Sequence, residues 1–124
     1  MSLASVSIRS MKKADVHLLH EIARANMPYA WSKRVFLSCF REDYHGWLVS
    51  QGDHGLANEV MGFAIVLAQL DECQLLSVCV KSSARRQGLA SLLLDEVTSF
   101  SKDNAFSKVF LEVRHSKKHF RESI

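Results

Sequence analysis

The chain has little of what breaks or staples structure. Pro28 is its only proline, and five glycines are spread over 124 residues, so no collagen-like, linker-like or low-complexity segment is present. Its cysteines, Cys39, Cys73 and Cys79, are odd in number and form no C-x-x-C pair. Cys73 and Cys79 lie in or beside apolar runs, and all three are expected as buried, reduced thiols of a cytoplasmic protein. Long hydrophobic runs are missing too. The longest, Val60 to Leu70, is interrupted by Gln69 and falls far short of the ~20 residues that a membrane span needs. Arg9, Lys12 and Lys13 interrupt the start of the chain, so no secretory leader is expected.

Charge of one sign is scarce as well. Sixteen Lys plus Arg against 13 Asp plus Glu give a formal +3, and Lys117, Lys118 and Arg121 against Glu122 account for +2 of it. No basic stripe remains to argue for nucleic acid. What is there, 48% apolar and 23% charged residues, describes one small soluble globular domain with its own core.

Along the chain the hydrophobic period changes repeatedly. Ser5 to Met11 alternates like a short strand, with Val6 and Ile8 on one side. Val16, Leu19, Ile22 and Ala23 then form the stripe of an amphipathic helix running from Lys13 to about Ala25. A break at Asn26 to Trp31 surrounds Pro28. Ser32 is placed to cap a second helix, whose expected buried stripe is Val35, Phe36, Cys39 and Phe40. Trp47 to Gln51, Val60 to Ala68 and Leu75 to Val80 read as three strands, the last two joined as a hairpin through Asp71 and Glu72. After an Arg-rich loop, Ser82 to Gly88, the pattern Leu89, Leu93, Glu96 or Val97, and Phe100 sets a helix ending around Asp103-Asn104. Val109 to Val113 is a final strand. The order predicts a mixed α/β (α+β) layer, mostly antiparallel, with one helix crossing over before the last strand. Residues 1–114 form the domain, and residues 115–124 read as a basic, atypical tail.

Two places carry chemistry. Arg85-Arg86-Gln87-Gly88-Leu89-Ala90 joins a strand to a helix. Amides at a helix start point outward unpaired, and with Gly88 permitting close approach and two arginines adding charge they suit a phosphate or pyrophosphate. The spacing matches neither a dinucleotide fingerprint nor a P-loop, and a plainly solvated helix start is the competing reading. The second place is Glu112, between Leu111 and Val113 on the final strand. Partial burial would raise its pKa and suit it to act as a general base; the alternative is a surface ion pair with Arg114 or Lys108. Tyr29 and Trp31 flank Pro28 as either core packing or one wall of a substrate groove. His17 and His20, and His115 and His119, share helical spacing, but no third ligand accompanies either pair, so no metal site is expected.

Three segments together resemble the GCN5-related N-acetyltransferase (GNAT) superfamily, and within it the bacterial ribosomal-protein N-terminal alanine acetyltransferases. They are Pro28-Tyr29-Ala30-Trp31-Ser32 with Phe36, the stretch from Asp71 through Val80 into Arg85-x-x-Gly88-x-Ala90-Ser91-x-Leu93-Leu94, and Leu111-Glu112-Val113-Arg114-x-Ser116. The resemblance implies the acyl-CoA N-acyltransferase fold, with a splay between strands 75–80 and 109–113 into which acetyl-CoA wedges. It implies that backbone groups of Val78 and Val80, flanking Cys79, pair with the pantetheine arm. An N–H at Val78 would polarise the thioester carbonyl. The segment Arg85, Arg86, Gln87, Gly88, Leu89, Ala90 and Ser91 would hold the pyrophosphate. Glu112 would take the proton from the incoming amine, and Tyr29 and Trp31 would line the acceptor groove. The expected acceptor is a protein N-terminus, that of a small-subunit ribosomal protein, with neither membrane nor nucleic acid as a direct partner.

The same comparison implies departures. Lys117 stands where the family has Asn, and the family's further helix, its thiolate-protonating tyrosine and two more strands have no counterpart, the only tyrosines being Tyr29 and Tyr44. The chain is therefore expected as a C-terminally shortened member whose last strand needs cover, from a second copy in a homodimer for example. Transfer activity would be reduced or lost. The alternative function is a non-catalytic remnant of the fold that binds acetyl-CoA or serves protein interaction or oligomerisation.

Overall fold

The computed structural model describes residues 5–52, 59–106, 108–115 and 118–123, with side chains through Phe110. Six strands and three helices follow one another as β1 (Ser5–Ser10), α1 (Val16–Asn26), α2 (Lys33–Ser38), β2 (Tyr44–Gly52), β3 (Glu59–Gln69), β4 (Glu72–Val80), α3 (Leu89–Asp103), β5 (Lys108–His115) and β6 (Lys118–Ser123). Short 3-10 turns precede α1 at Lys13–Asp15 and follow β4 at Ser82–Ala84. The strands form one sheet in sequence order, antiparallel throughout except where β5 runs parallel to β4. That single parallel step needs a crossover, and α3 supplies it.

The sheet separates two cores. On one face α3 lays Leu89, Leu93 and Val97 over Trp47, Val49, Ala64, Val66, Cys73, Leu75 and Val109. On the other, Leu19, Ile22 and Ala23 of α1 and Phe36 of α2 cover Leu48, Phe63, Ile65 and Cys79. Period-2 alternation in β2 and β3 assigns the neighbours Trp47 and Leu48, and Phe63 and Ala64, to opposite cores. Trp31 lies tilted against Phe36 at 5.3 Å, and Phe36 meets Phe63 edge-on at 5.7 Å. Ser32 caps α2 as expected, its Oγ accepting from the Val35 N–H at 3.2 Å. The expected α2 stripe is corrected at Val35, which is 40% exposed while Phe36 and Cys39 are buried: a helix of six residues has one buried side, and Val35 falls outside it. All three cysteines are free and buried, and burial pushes the Cys79 thiol up to about 11, so it stays protonated and unreactive. Among the described residues no helix is long and apolar enough to cross a membrane.

The strongest correction concerns residues 115–124. The sequence reading gives them no element and leaves the final strand without a neighbour. Instead β6 pairs antiparallel with β5 from Phe110↔Ser123 to His115↔Lys118, so the edge expected to need a second copy is covered from within the chain. The signal was weak because Lys118–Ser123 (KHFRES) is almost wholly polar and offers no hydrophobic alternation to read.

At the other edge, β1 is tied to the start of α1 by electrostatics. Arg9 grips Asp15 through two bonds of 2.9 Å, and the Lys12 N–H donates to the same carboxylate at 2.7 Å. The Arg9 guanidinium holds the Asp15 carboxyl below its ordinary value, against the opposing effect of burial. A depressed carboxylate pKa adds stability above the unfolded-state value and loses it as pH falls through the folded-state value. Asp15→Asn should therefore cost about 1 kcal/mol or less at pH 7, since Arg9 is half-exposed and screened. The gap to the wild type should close below about pH 4, as measured by urea denaturation across pH.

Candidate acetyl-donor and acceptor site

The site begins with a fault in β4. Ile65 of β3 pairs with Ser77, but the next residue, Val66, pairs with Leu75, which leaves Leu76 as an extra residue. A bulge of this kind bends its strand and reverses the alternation beyond it. Both effects are visible. Cys73 and Leu75 face α3 before the bulge; after it Val80 is buried in that core with Val78 packed against it, and Cys79 turns to the α1 side. The parallel pairing with β5 covers Glu72↔Lys108 to Leu75↔Leu111 and stops at the bulge. From there β4 and β5 part.

Strand alternation then says which backbone groups face the opening. The Lys81 N–H donates to Met61 O at 2.8 Å, toward β3. Successive residues point their amide and carbonyl to opposite edges, so Cys79 also faces β3 while Val78 and Val80 face the gap. Glu112 is the first residue of β5 past the last pair with β4, and its register partner on β6 is Arg121. Position 112 thus stands at the fork. Its side chain, like those of His115 and His119, lies outside the described residues.

Beyond β4 the chain forms a cavity of about 250 Å³ lined by Val80, Ala84, Arg85, Arg86, Gly88, Leu89, Ala90 and Ser91. Gly88 takes φ +78° as the N-cap of α3, and Arg86 also holds a left-handed φ of 65°. Such a turn gathers successive N–H groups toward one side, a concavity suited to anions. The first bond of the helix runs from the Leu92 N–H to Gly88 O at 3.1 Å, so the amides of Leu89, Ala90 and Ser91 precede the intrahelical ladder. A Cβ built on Gly88 meets nothing within 4 Å. The glycine is thus required by backbone angle rather than by crowding.

Side chains fix this loop from several directions. Lys81 reaches Glu59 at 2.7 Å, and Gln87 accepts from Gln51 at 2.8 Å. Arg85, expected to add charge beside the phosphates, lines the cavity while its Nε donates to Val80 O at 3.3 Å and its Nη2 to Asn26 O at 3.1 Å. Its donors are drawn to two carbonyls left at the ends of β4 and α1, and both arginines stay exposed at the cavity wall. Sequence reasoning missed Ala84, Ser82 and Asn26. An Asn at the end of a helical stripe is a recognisable stop signal, but its partner 56 positions away leaves no trace in local pattern.

Because Asn26 contacts Ser82 and Arg85, the segment 27–31 starts at the C-terminal end of β4, beside the opening. There the two aromatics differ. Tyr29 is 67% exposed, whereas Trp31 is half-buried against Phe36 and packs on the core below α1.

A family model described as the Acetyltransferase (GNAT) family matches residues 16–120. The chain belongs to this family. It is an N-acetyltransferase of GNAT type, and the family uses acetyl-CoA. Among curated relatives it is 27% identical over 110 residues to the ribosomal protein bS18-alanine N-acetyltransferase of Escherichia coli (strain K12), covering 89% of this chain and 71% of that one. The Haemophilus ducreyi enzyme of the same name is 28% identical over 109 residues, with 88% and 72% covered. The crystal structure of the Escherichia coli ribosomal-protein alanine N-acetyltransferase superposes with TM-score 0.80 at 28% identity, over 90% of this chain and 69% of that one. A PaiA N-acetyltransferase from Thermoplasma acidophilum, solved with coenzyme A, shares the fold with TM-score 0.75 at 18% identity, over 92% and 82% of the two chains. In this GNAT domain the expected splay is the gap that opens at Leu76.

Gly88→Ala tests how much the loop before α3 depends on its backbone angle. With open space around the added methyl, the cost should be conformational alone, about 1–2 kcal/mol, read by chemical denaturation. Gly62→Ala supplies the contrast, because its Cβ would stand 2.5 Å from Cys79 O and β3 and β4 would have to move apart.

Proposed function

We propose that this N-acetyltransferase moves the acetyl group of acetyl-CoA to the N-terminal amine of a protein, with a small-subunit ribosomal protein of the alanine-terminated kind as acceptor. The observation that carries the reading is the coincidence, at one end of the sheet, of the β4–β5 fork beside position 112 and the amide-lined cavity behind Gly88. The names of the relatives at 27 and 28% identity support the acceptor class.

Each part of the donor meets a group suited to it. The pyrophosphate is a dianion or more, and the amides at Leu89 to Ser91 with the exposed Arg86 suit it. The pantetheine arm carries two amides, and the gap-facing backbone of Val78 and Val80 can pair with them as one more strand would. Bound acetyl-CoA supplies an activated thioester carbonyl. The Val78 N–H then acts as an oxyanion donor, stabilising charge that develops on that carbonyl oxygen.

The acceptor amine must lose a proton before it attacks. Glu112 removes it, directly or through a water, at the mouth of the fork. Tyr29 lines the approach and Trp31 backs it from the core. Attack by the neutral amine forms the amide and expels the coenzyme A thiolate. A thiolate is a good leaving group, and no side chain is assigned to protonate it. The reaction is intracellular chemistry, in keeping with a cytoplasmic enzyme.

Two measurements test this. Calorimetric titration of acetyl-CoA into the chain should give near one-to-one binding. Acetylation of a peptide beginning with alanine should fall about 10²–10⁴-fold in Glu112→Gln while acetyl-CoA affinity is unchanged. Donor binding without transfer to any peptide N-terminus would instead favour a non-catalytic acetyl-CoA-binding protein.

A further inference from the structure

The residue that joins the two sides of the site is Asn26, the last residue of α1. Its carboxamide uses both ends. Nδ2 donates to Ile22 O at 2.8 Å, closing the final turn of α1. Oδ1 accepts from the Ser82 N–H at 2.8 Å and from Ser82 Oγ at 2.7 Å. The backbone carbonyl of the same residue receives Arg85 Nη2, whose guanidinium also holds Val80 O. Ser82 opens the 3-10 turn and Arg85 follows it, so both ends of the turn that leads into the Gly88 loop are fastened to one asparagine. The next residues in the chain, 27–31, carry Tyr29.

We propose that Asn26 is a positioning residue for the donor site: it sets the height and angle of the 82–88 loop against the end of α1, and so fixes the phosphate-binding amides relative to the Tyr29 segment. Asparagine suits this role because one side chain must both donate to a helix carbonyl and accept two bonds from Ser82. Aspartate can accept both Ser82 bonds but cannot donate to Ile22 O. Alanine does neither. Every bond involved is local to the loop and to α1, so the loss falls on loop geometry rather than on either core.

The inference rests on the Gly88 cavity being the acetyl-CoA site, and coenzyme A, which needs no acceptor, is the probe that separates the two. By calorimetry, at a temperature where circular dichroism shows each variant folded, Asn26→Ala should weaken coenzyme A binding about tenfold, the worth of one or two neutral hydrogen bonds. Asn26→Asp should recover most of that loss. Ser82→Ala should weaken binding less, and adding it to Asn26→Ala should bring little further loss, because both remove one interaction. Unchanged affinity in Asn26→Ala beside a wild type that binds would overturn the inference alone. If that variant does not fold, Ser82→Ala binding coenzyme A like the wild type would do the same. A wild type that binds no coenzyme A would overturn the reading of the cavity and this inference together.

Discussion

The extra residue at Leu76 is the constraint on which the site depends. A regular β4 would continue its ladder to β5 and leave no edge free at the centre of the sheet. The bulge bends β4 away just where the parallel pairing ends, at Leu75↔Leu111. It also shifts the alternation by one residue, so that Val80 packs under α3 while Cys79 enters the core below α1. Backbone groups in the middle of a sheet must find partners. A strand edge that faces a gap is therefore built to be completed by something extended and rich in amides, and the bulge is what creates that edge.

An opening between strands is useful only if its rim holds still. The rim here is the segment from Lys81 to Gly88, fastened from β3 through Glu59, from β2 through Gln51 and from α1 through Asn26. The pairs differ in character. Lys81 and Glu59 are partly or largely exposed, where screening leaves an ion pair little net worth, while the contacts between Asn26 and Ser82 are neutral, short and satisfy a backbone N–H. Arg85 belongs to this scaffold. With its guanidinium on Val80 O and Asn26 O it still carries its charge at the cavity wall, so the positive field there comes from both arginines and from the amides at Gly88 and the start of α3.

Much of this was legible in the sequence, for identifiable reasons. Helices and strands followed from the change of period between Val16–Ala23 and the alternating or continuous apolar runs, and Ser32 announced the α2 cap. The Gly88 loop stood out because Arg, Gly and Ala lie together between a strand and a helix, although a plainly solvated helix start would show the same residues. Leu76 gave no warning: in Glu72–Val80 (ECQLLSVCV) one leucine more or less looks the same in composition, and only the partner strand reveals which residue is unpaired. Asn26 was hidden because its partners are far along the chain, and the carbonyls that Arg85 holds were hidden because sequence shows a charge but not where it points. The polar strand β6 was hidden because alternation marks a strand only when one of its faces is buried.

That hidden strand bears directly on the chemistry. β5 is paired with β4 only as far as Leu111, yet it continues as a strand to His115. Past the fork its only sheet neighbour among the described residues is β6, which pairs with it at every position from Phe110 to His115. An extended segment flanked by nothing has no ladder to hold its angles, and the gap on one side of β5 removes that support. β6 restores it from the other side. The opening at Leu76 and the pairing at Glu112↔Arg121 are thus complementary demands: the first frees an edge of β4, and the second keeps position 112 extended beside it.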